Sequence, residues 1–314
     1  MIEVRNLTKR YDQTTAVNDL SFTVKPGIVT GFLGPNGSGK STTMRLILGL
    51  DAPTSGDVTV NGKHYAEHAA PLHEVGALLE ARSVHTGRSA YNHLLALAQT
   101  HGIPRSRVDE LIELVGLESV AKKRAGQFSL GMGQRLGIAA ALLGDPEVVM
   151  LDEPVNGLDP DGIRWVRDLM KTLAAEGRTV FLSSHLMSEM ALTADHLVVI
   201  GRGRLIADVS VEEFIRRHSR NVVLVRSPQA TELAALISSP DVSVNAIEPG
   251  LLEVEGLSAR QVGEQAALNN FVLYQLKSEQ ASLEEAFMSF TRDELEFHAT
   301  TSIPDTEKDE VLAA

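Results

Sequence analysis

The chain has 314 residues and no cysteine, is 43% hydrophobic and carries a formal net charge of −12. This length allows one large α/β domain and a smaller one, and the lack of cysteine excludes disulfides and thiolate metal sites. The acidic balance disfavours a nucleic-acid partner, and without an apolar run of about 18 residues or a basic-then-apolar N-terminus we expect a cytoplasmic protein with no membrane span.

Alternating apolar and polar residues over 1–27 predict an antiparallel, hairpin-rich start that ends at the turn Pro26-Gly27. An apolar run at 28–33 then predicts a buried strand. The spacing of apolar residues after Ser41 is helical and predicts a helix. The segment between this strand and this helix is therefore a loop at a strand-to-helix junction.

That loop has the pattern G-x-x-x-x-G-K-S, which is typical of a phosphate-binding loop. Its glycines let backbone N–H groups converge on phosphate oxygens, while Lys40 can reach the β and γ phosphates and Ser41 can bind Mg²⁺. The sequence therefore predicts a site for a nucleoside triphosphate. We expect the nucleotide to contact Gly34, Pro35, Asn36, Gly37, Ser38, Gly39, Lys40, Ser41 and Thr42.

Residues 58–63 indicate another strand with an Asn-Gly turn. From Ser89 to about Gly144 the apolar residues recur with helical spacing. We therefore expect a helical subdomain at about residues 83–145, inserted between the strands of the first domain.

Two buried-type strands follow at 148–151 and 179–182, separated by a helix at 163–175. Strands that alternate with helices favour a parallel sheet with right-handed crossovers. A hairpin over 197–207 then closes the first domain, whose predicted limits are 1–217.

Beyond Arg217 the predicted elements follow in the order βαββαβ, which indicates a small α+β, ferredoxin-like module at 218–292. No cluster of aromatic or acidic residues marks a pocket in this module, so support of a dimer is favoured over binding of a regulatory ligand. Leu283 and Phe287, spaced i, i+4, are interpreted as closing the module. The acidic, polar residues 293–314 are expected to be disordered.

The turn at 128–135, with the sequence FSLGMGQR, leads straight into a helix and resembles the signature motif of ATP-binding cassette (ABC) ATPases. This resemblance covers about residues 1–217. It implies an α/β P-loop NTPase fold with a RecA-like core sheet, an antiparallel β subdomain and a helical subdomain. Further pieces stand in the family's order: Tyr11, Glu80, Asp152-Glu153-Pro154, Gly157-Leu158-Asp159-Pro160 and Ser183-Ser184-His185.

The resemblance implies ATP as the nucleotide and Mg²⁺ as its metal ion. Asp152 would hold Mg²⁺ with Ser41, and Glu153 would act as general base on the attacking water. His185 would contact the γ-phosphate, and Tyr11 would stack on the adenine. The ordinary alternatives are a paired surface acid for Glu153, a core histidine for His185 and a strand aromatic for Tyr11.

In this family, Ser129 and Gly131 of the signature motif contact the γ-phosphate held by the opposite subunit. The resemblance therefore implies a dimer of cassettes, either a homodimer or a heterodimer, with ATP at the interface. Asp159 would lie along that interface. As an Asp-Pro pair it is equally suited to cap a helix, and the two roles are compatible.

Leu130 and Met132 depart from the usual glycine-rich signature. Glu80 stands where the family usually has a glutamine that senses Mg²⁺ and links the site to a membrane partner. A carboxylate at this position can still bind the metal, but it adds negative charge near the phosphates and has no amide donor. We therefore include Glu80 among the expected catalytic and Mg²⁺-binding residues, with an altered rate and coupling.

A cassette without a membrane span implies a separate integral membrane permease, with the cassette held at the inner face of the cell membrane. Glu80, the Ser-Leu-Gly-Met signature and the Leu-Glu-Glu-Ala-Phe element at 283–287 resemble the ATPases of drug, antibiotic or bacteriocin exporters. The alternative is a soluble ABC ATPase that acts in translation or DNA repair. The acidic balance and the single cassette disfavour it.

Overall fold

The computed structural model describes residues 1–80, 84–218, 222–279 and 283–291. The tail at 293–314, predicted to be disordered, lies outside the described residues.

The strands are β1 (Ile2–Tyr11), β2 (Thr14–Val24), β3 (Val29–Leu33), β4 (Ser55–Val60), β5 (Val75–Leu78), β6 (Val148–Asp152), β7 (Thr179–Ser183), β8 (His196–Gly201), β9 (Arg204–Ser210), β10 (Val222–Arg226), β11 (Ser243–Glu248), β12 (Leu251–Glu255) and β13 (Gln275–Glu279). The helices are α1 (Lys40–Ile47), α2 (Pro71–Glu74), α3 (Ala90–Thr100), α4 (Arg105–Leu114), α5 (Leu130–Ala141), α6 (Pro160–Ala175), α7 (Met187–Thr193), α8 (Val211–His218), α9 (Ala230–Ile237), α10 (Ala259–Leu268) and α11 (Leu283–Thr291).

The central sheet has six strands in the order β5-β6-β7-β3-β8-β9. The first five are parallel to their neighbours, and β9 closes the edge as an antiparallel hairpin with β8. Every residue of β3 and β7 is buried, as expected for strands covered on both faces. The predicted parallel sheet is confirmed.

A second sheet, in the order β2-β1-β4, is antiparallel and packs on one face of the central sheet. The ring centroid of Phe22 in this sheet lies 5.7 Å from that of Phe32 and 5.9 Å from that of Phe181, both in the central sheet. The predicted Asn-Gly turn follows β4, where Asn61 and Gly62 both have positive φ. The hairpin-rich start is therefore an antiparallel subdomain.

Helices α3, α4 and α5 form the predicted helical subdomain, and their apolar residues join one cluster with the opposite face of the central sheet. Helix α5 packs directly on β5. A side chain at Gly137 would come within 2.6 Å of a terminal methyl group of Leu78, so the glycine lets α5 approach β5 without a shift of the Leu78 side chain. The packing fixes the beginning of α5, which carries the signature motif, relative to the central sheet.

The C-terminal module has the predicted order βαββαβ. Its sheet order is β11-β12-β10-β13, with every neighbour antiparallel, which is the ferredoxin-like arrangement. It has its own apolar cluster, in which Val225, Leu233, Val254 and Val262 are fully buried.

Helix α11 follows this module in sequence but packs with the first domain. Leu283, Ala286 and Phe287 are buried in the apolar cluster of the central sheet, and α11 contacts α7 and α8. The interpretation that Leu283 and Phe287 close the C-terminal module is therefore wrong. Their i, i+4 spacing specifies an apolar helix face, but it does not specify the surface that this face covers.

No described helix combines the length and apolar character needed to cross a bilayer.

Candidate nucleotide-binding site

The phosphate-binding loop connects β3 to α1, as the sequence predicts. Gly39 precedes α1 with φ of 102°, and a side chain there would come within 2.4 Å of the Ala16 carbonyl oxygen. Gly39 is therefore required both by its left-handed backbone and by the close approach of β2. The loop lies against the antiparallel subdomain, so β2 forms one wall of the site.

Lys40 begins α1 and its side chain folds back over the loop. Its Nζ donates hydrogen bonds to the carbonyl oxygens of Gly34 at 2.6 Å and Pro35 at 3.2 Å. Burial lowers the pKa of Lys40, and the charges of Glu153 and Asp152 act against this lowering. A phosphate oxygen would offer the ammonium group a charged acceptor, which makes a stronger hydrogen bond than a carbonyl oxygen does.

Asp152, at the end of β6, is held by two hydroxyl groups. Ser41 Oγ donates to Asp152 Oδ2 at 2.9 Å, and Ser183 Oγ donates to the other carboxylate oxygen. A hydroxyl and a carboxylate in contact form a hard oxygen donor set, which is the kind that Mg²⁺ prefers. Ser41 and Asp152 therefore fit the Mg²⁺ site that the resemblance implies.

Glu153 follows Asp152 with a left-handed backbone, φ of 51°, which is uncommon for a residue other than glycine. Its Oε2 lies 2.7 Å from Nδ1 of His185 and accepts a hydrogen bond from the His185 backbone N–H at 3.2 Å. The structure thus brings the predicted base and the predicted γ-phosphate contact together. Strained backbone at such a point is typical of functional sites.

Two residues that the sequence reasoning missed position this acid. Ser183 Oγ accepts a hydrogen bond from the Glu153 backbone N–H at 3.1 Å while it donates to Asp152. Gln134 is buried on α5, and its Nε2 donates to the Glu153 carbonyl oxygen at 2.9 Å. Because β6 and β7 pair Asp152 with Ser183, the strand register is the signal that could have found Ser183.

We expect Ser183→Ala to slow ATP turnover more than it weakens ATP binding. Loss of this hydroxyl removes the hydrogen bonds that hold the Asp152 carboxylate and the Glu153 backbone N–H. A hydrogen bond to a charged group contributes about 1.5–3 kcal/mol, so we expect the turnover rate to fall roughly tenfold or more. Steady-state hydrolysis and a binding titration with ATP measure the two effects separately. Ser238→Ala, which removes a hydroxyl that donates to the Ala234 carbonyl oxygen within the C-terminal module, is the matched control. Equal losses in binding and turnover would contradict the positioning role.

Ser129 lies at the beginning of α5, and its Oγ accepts a hydrogen bond from the Met132 N–H at 3.2 Å. A side chain at Gly131 would come within 2.7 Å of the Gly157 carbonyl oxygen, so the signature turn packs on the segment before α6. Leu130 is 45% exposed on the surface beside this turn. The role of Ser129 and Gly131 in a second subunit's site stays a prediction.

Asp159 caps α6, since its Oδ1 accepts a hydrogen bond from the Gly162 N–H at 2.9 Å. The helix-cap interpretation is confirmed, and the interface role stays a prediction. Tyr11 and Glu80 are both exposed. The described hydrogen bonds do not connect either of them to the group around Asp152 and Glu153, which leaves their roles as predictions.

Comparison with known proteins agrees with this geometry. A family profile described as "ABC transporter" matches residues 17–156, and one described as "Domain of unknown function (DUF8746)" matches residues 221–284. A solved structure of an ATP binding subunit of an ABC transporter superposes with a TM-score of 0.64 and 27% identity, covering 69% of this chain and 92% of that one.

Relatives match over nearly the whole chain. The uncharacterized ABC transporter ATP-binding protein YhcH of Bacillus subtilis (strain 168) is 38% identical, over 93% of this chain and 96% of that protein. The bacitracin transport ATP-binding protein BcrA of Enterococcus faecalis is 36% identical, over 91% of this chain and 95% of that protein. With such identity over almost its full length, the chain belongs to the ATP-binding, ATP-hydrolysing proteins of the ABC transporter family.

Proposed function

We propose that this protein powers the export of an antibiotic or a similar compound through a separate membrane-spanning permease, to which it binds at the inner face of the membrane. The observation that carries the proposal is the likeness to the bacitracin transport protein, which covers 95% of that protein and so includes the C-terminal module. A cassette alone would support only a transporter of unspecified kind. The alternative role in translation or DNA repair gains no support from these relatives.

The residues of the site supply the steps of hydrolysis. The glycine loop and Lys40 hold the β and γ phosphates, and Glu153 Oε2 accepts a proton from the attacking water. His185, 2.7 Å from that oxygen, orients the water against the γ-phosphate. Ser41 and Asp152 would hold Mg²⁺, with Glu80 as a further oxygen ligand. When bound, the metal offsets the negative charge of the phosphate groups.

The signature turn completes a site in a second cassette. Ser129 caps α5, a helix of 12 residues. Its hydroxyl and the first backbone N–H groups of the helix lie together at one end of the helical subdomain. A helix N-terminus favours an anion, so this turn suits the γ-phosphate of ATP held by a partner, either a second copy or a related chain. Asp159, which caps α6 close to this turn, would then lie at the same interface.

Reconstitution in lipid vesicles tests the proposed transport function. The protein is co-expressed with the membrane protein of about six spans that we expect its neighbouring gene to encode, and the two are purified together. We expect co-purification, ATP hydrolysis that bacitracin stimulates, and ATP-dependent movement of that peptide across the bilayer. Vesicles carrying the Glu153→Gln variant control for leakage. Failure to co-purify, together with association with ribosomes, would overturn the transport assignment.

A further inference from the structure

A group of four polar contacts surrounds Tyr11, the residue expected to stack on the base, and none of the roles described above uses it. Tyr11 ends β1 and is 44% exposed. Its hydroxyl donates a hydrogen bond to Asp51 Oδ2 at 3.2 Å. Asp51 follows α1 in the chain, so this bond joins the antiparallel subdomain to the segment beyond the phosphate-binding helix.

Asp51 is in turn held by Arg45 on α1. Arg45 Nε donates to Asp51 Oδ2 at 2.7 Å, and Nη2 donates to Oδ1 at 3.3 Å. A two-point contact between guanidinium and carboxylate fixes the direction of both groups. The hydrogen bond from Arg45 holds the pKa of Asp51 below its ordinary value, so this carboxylate stays ionised and remains an acceptor for Tyr11.

The ring of Tyr11 has one covered face. Lys9 Nζ lies 4.8 Å from the ring centroid, and the same ammonium group donates a hydrogen bond to the Ala52 carbonyl oxygen at 2.7 Å. Both Lys9 and Tyr11 are thus anchored to neighbouring residues, Asp51 and Ala52. The cation occupies one face, and a planar base would stack on the other.

These contacts are exposed to water, where an ion pair adds little to folding stability. Their effect is geometric. Arg45 lies about 1.4 turns after Lys40 on the same helix, so the direction of the Tyr11 ring is tied to the helix that begins at the phosphate-binding lysine. A ring held in place before binding loses less conformational entropy when a base stacks on it.

We propose that Arg45 and Asp51 are positioning residues that fix the Tyr11 ring relative to the phosphate-binding loop, so that the base of ATP stacks on the ring face opposite Lys9. This inference rests on the proposed nucleotide role of Tyr11. According to this inference, Arg45 and Asp51 contribute to binding of the base and do not contribute to binding of the phosphates.

The test compares two ligands that differ in the base. Dissociation constants are measured for ATP and for inorganic tripolyphosphate, which has no base. We expect Asp51→Ala to weaken ATP binding about 3- to 10-fold, part of the effect of losing a base–aromatic stack, and to leave tripolyphosphate binding within about twofold. Arg45→Ala should show the same split. Glu264→Ala, which removes an acid that pairs with Arg260 on the C-terminal module, is the matched control and should change neither constant.

Tyr11→Phe keeps the ring and removes only the hydroxyl, so it should match Asp51→Ala. The double variant should show no further loss, because both changes break the same contact. The positioning role would be overturned if the variants lost affinity equally for ATP and for tripolyphosphate. It would also be overturned if Tyr11→Ala lost ATP affinity while Asp51→Ala bound ATP as well as the unaltered protein does. Failure of the nucleotide site itself gives a different result, because tripolyphosphate would then not bind to the unaltered protein.

Discussion

A Glu153→Gln variant is expected to bind ATP with unchanged affinity, to lose turnover and to accumulate as an ATP-dependent dimer. The amide keeps the size of the side chain, but it cannot accept the proton of the attacking water, and loss of a general base slows such reactions about 10²- to 10⁴-fold. Since ATP then persists at the shared interface, the two cassettes should stay together. Phosphate release measures the turnover, and size-exclusion chromatography with ATP measures the dimer.

Glu176→Gln makes the same chemical change at an exposed position near the end of α6 and should leave both measurements unchanged. Turnover that persists in Glu153→Gln would exclude Glu153 as the base. A variant that stays monomeric with ATP would instead count against a site shared between two cassettes. Because a dimer accumulates only when ATP is not hydrolysed, the dimer measurement tests the signature turn once the turnover measurement has shown that hydrolysis is lost.

Lys40→Ala is expected to show the largest loss of nucleotide affinity. The ammonium group is placed over the loop by the carbonyl oxygens of Gly34 and Pro35, and a bound phosphate would replace these acceptors with a charged one. Hydrogen bonds to charged groups contribute about 1.5–3 kcal/mol, which corresponds to roughly 10- to 150-fold in the dissociation constant. Isothermal titration with ATP, and with tripolyphosphate, gives this number directly.

The thermal midpoint of the Lys40→Ala variant, measured without nucleotide, shows whether the protein still folds. Lys171→Ala removes an exposed lysine from α6 and serves as the control for the loss of one positive charge. An unchanged dissociation constant in a folded Lys40→Ala protein would refute the phosphate contact. Loss of ATP binding with retained tripolyphosphate binding would place Lys40 near the base instead, against the arrangement described here.

The parts of the site that the sequence predicted are those set by local structure. The phosphate loop needs only a strand, a glycine pattern and a helix in succession, and all three are adjacent in the chain. The Asp159 cap is equally local, because its partner Gly162 lies three residues away. The βαββαβ order of the C-terminal module was also readable, because β10 is an apolar run, apolar and acidic residues alternate along β12, and apolar residues recur with helical spacing on α9 and α10.

What could not be predicted depends on contacts between distant segments. Ser183 acts on Asp152 and Glu153 through the register of β6 and β7, and Gln134 reaches Glu153 from another helix. Strand β5, with four residues, is too short for a reliable period. The surface that α11 covers also could not be predicted, because the spacing of apolar residues identifies the apolar face of a helix but not the surface against which it packs.

The route of the chain through α8, the C-terminal module and α11 has a consequence for dissecting the protein. The polypeptide leaves the cassette after α8 and returns through Leu283, Ala286 and Phe287, which fill space against α7 and α8. A cassette cut off at residue 217 would lack these side chains and would expose the apolar surface beneath them to water. The C-terminal module is therefore an insertion, flanked on both sides by helices that pack in the first domain. The smallest intact ATPase domain consists of two segments that are separate in sequence.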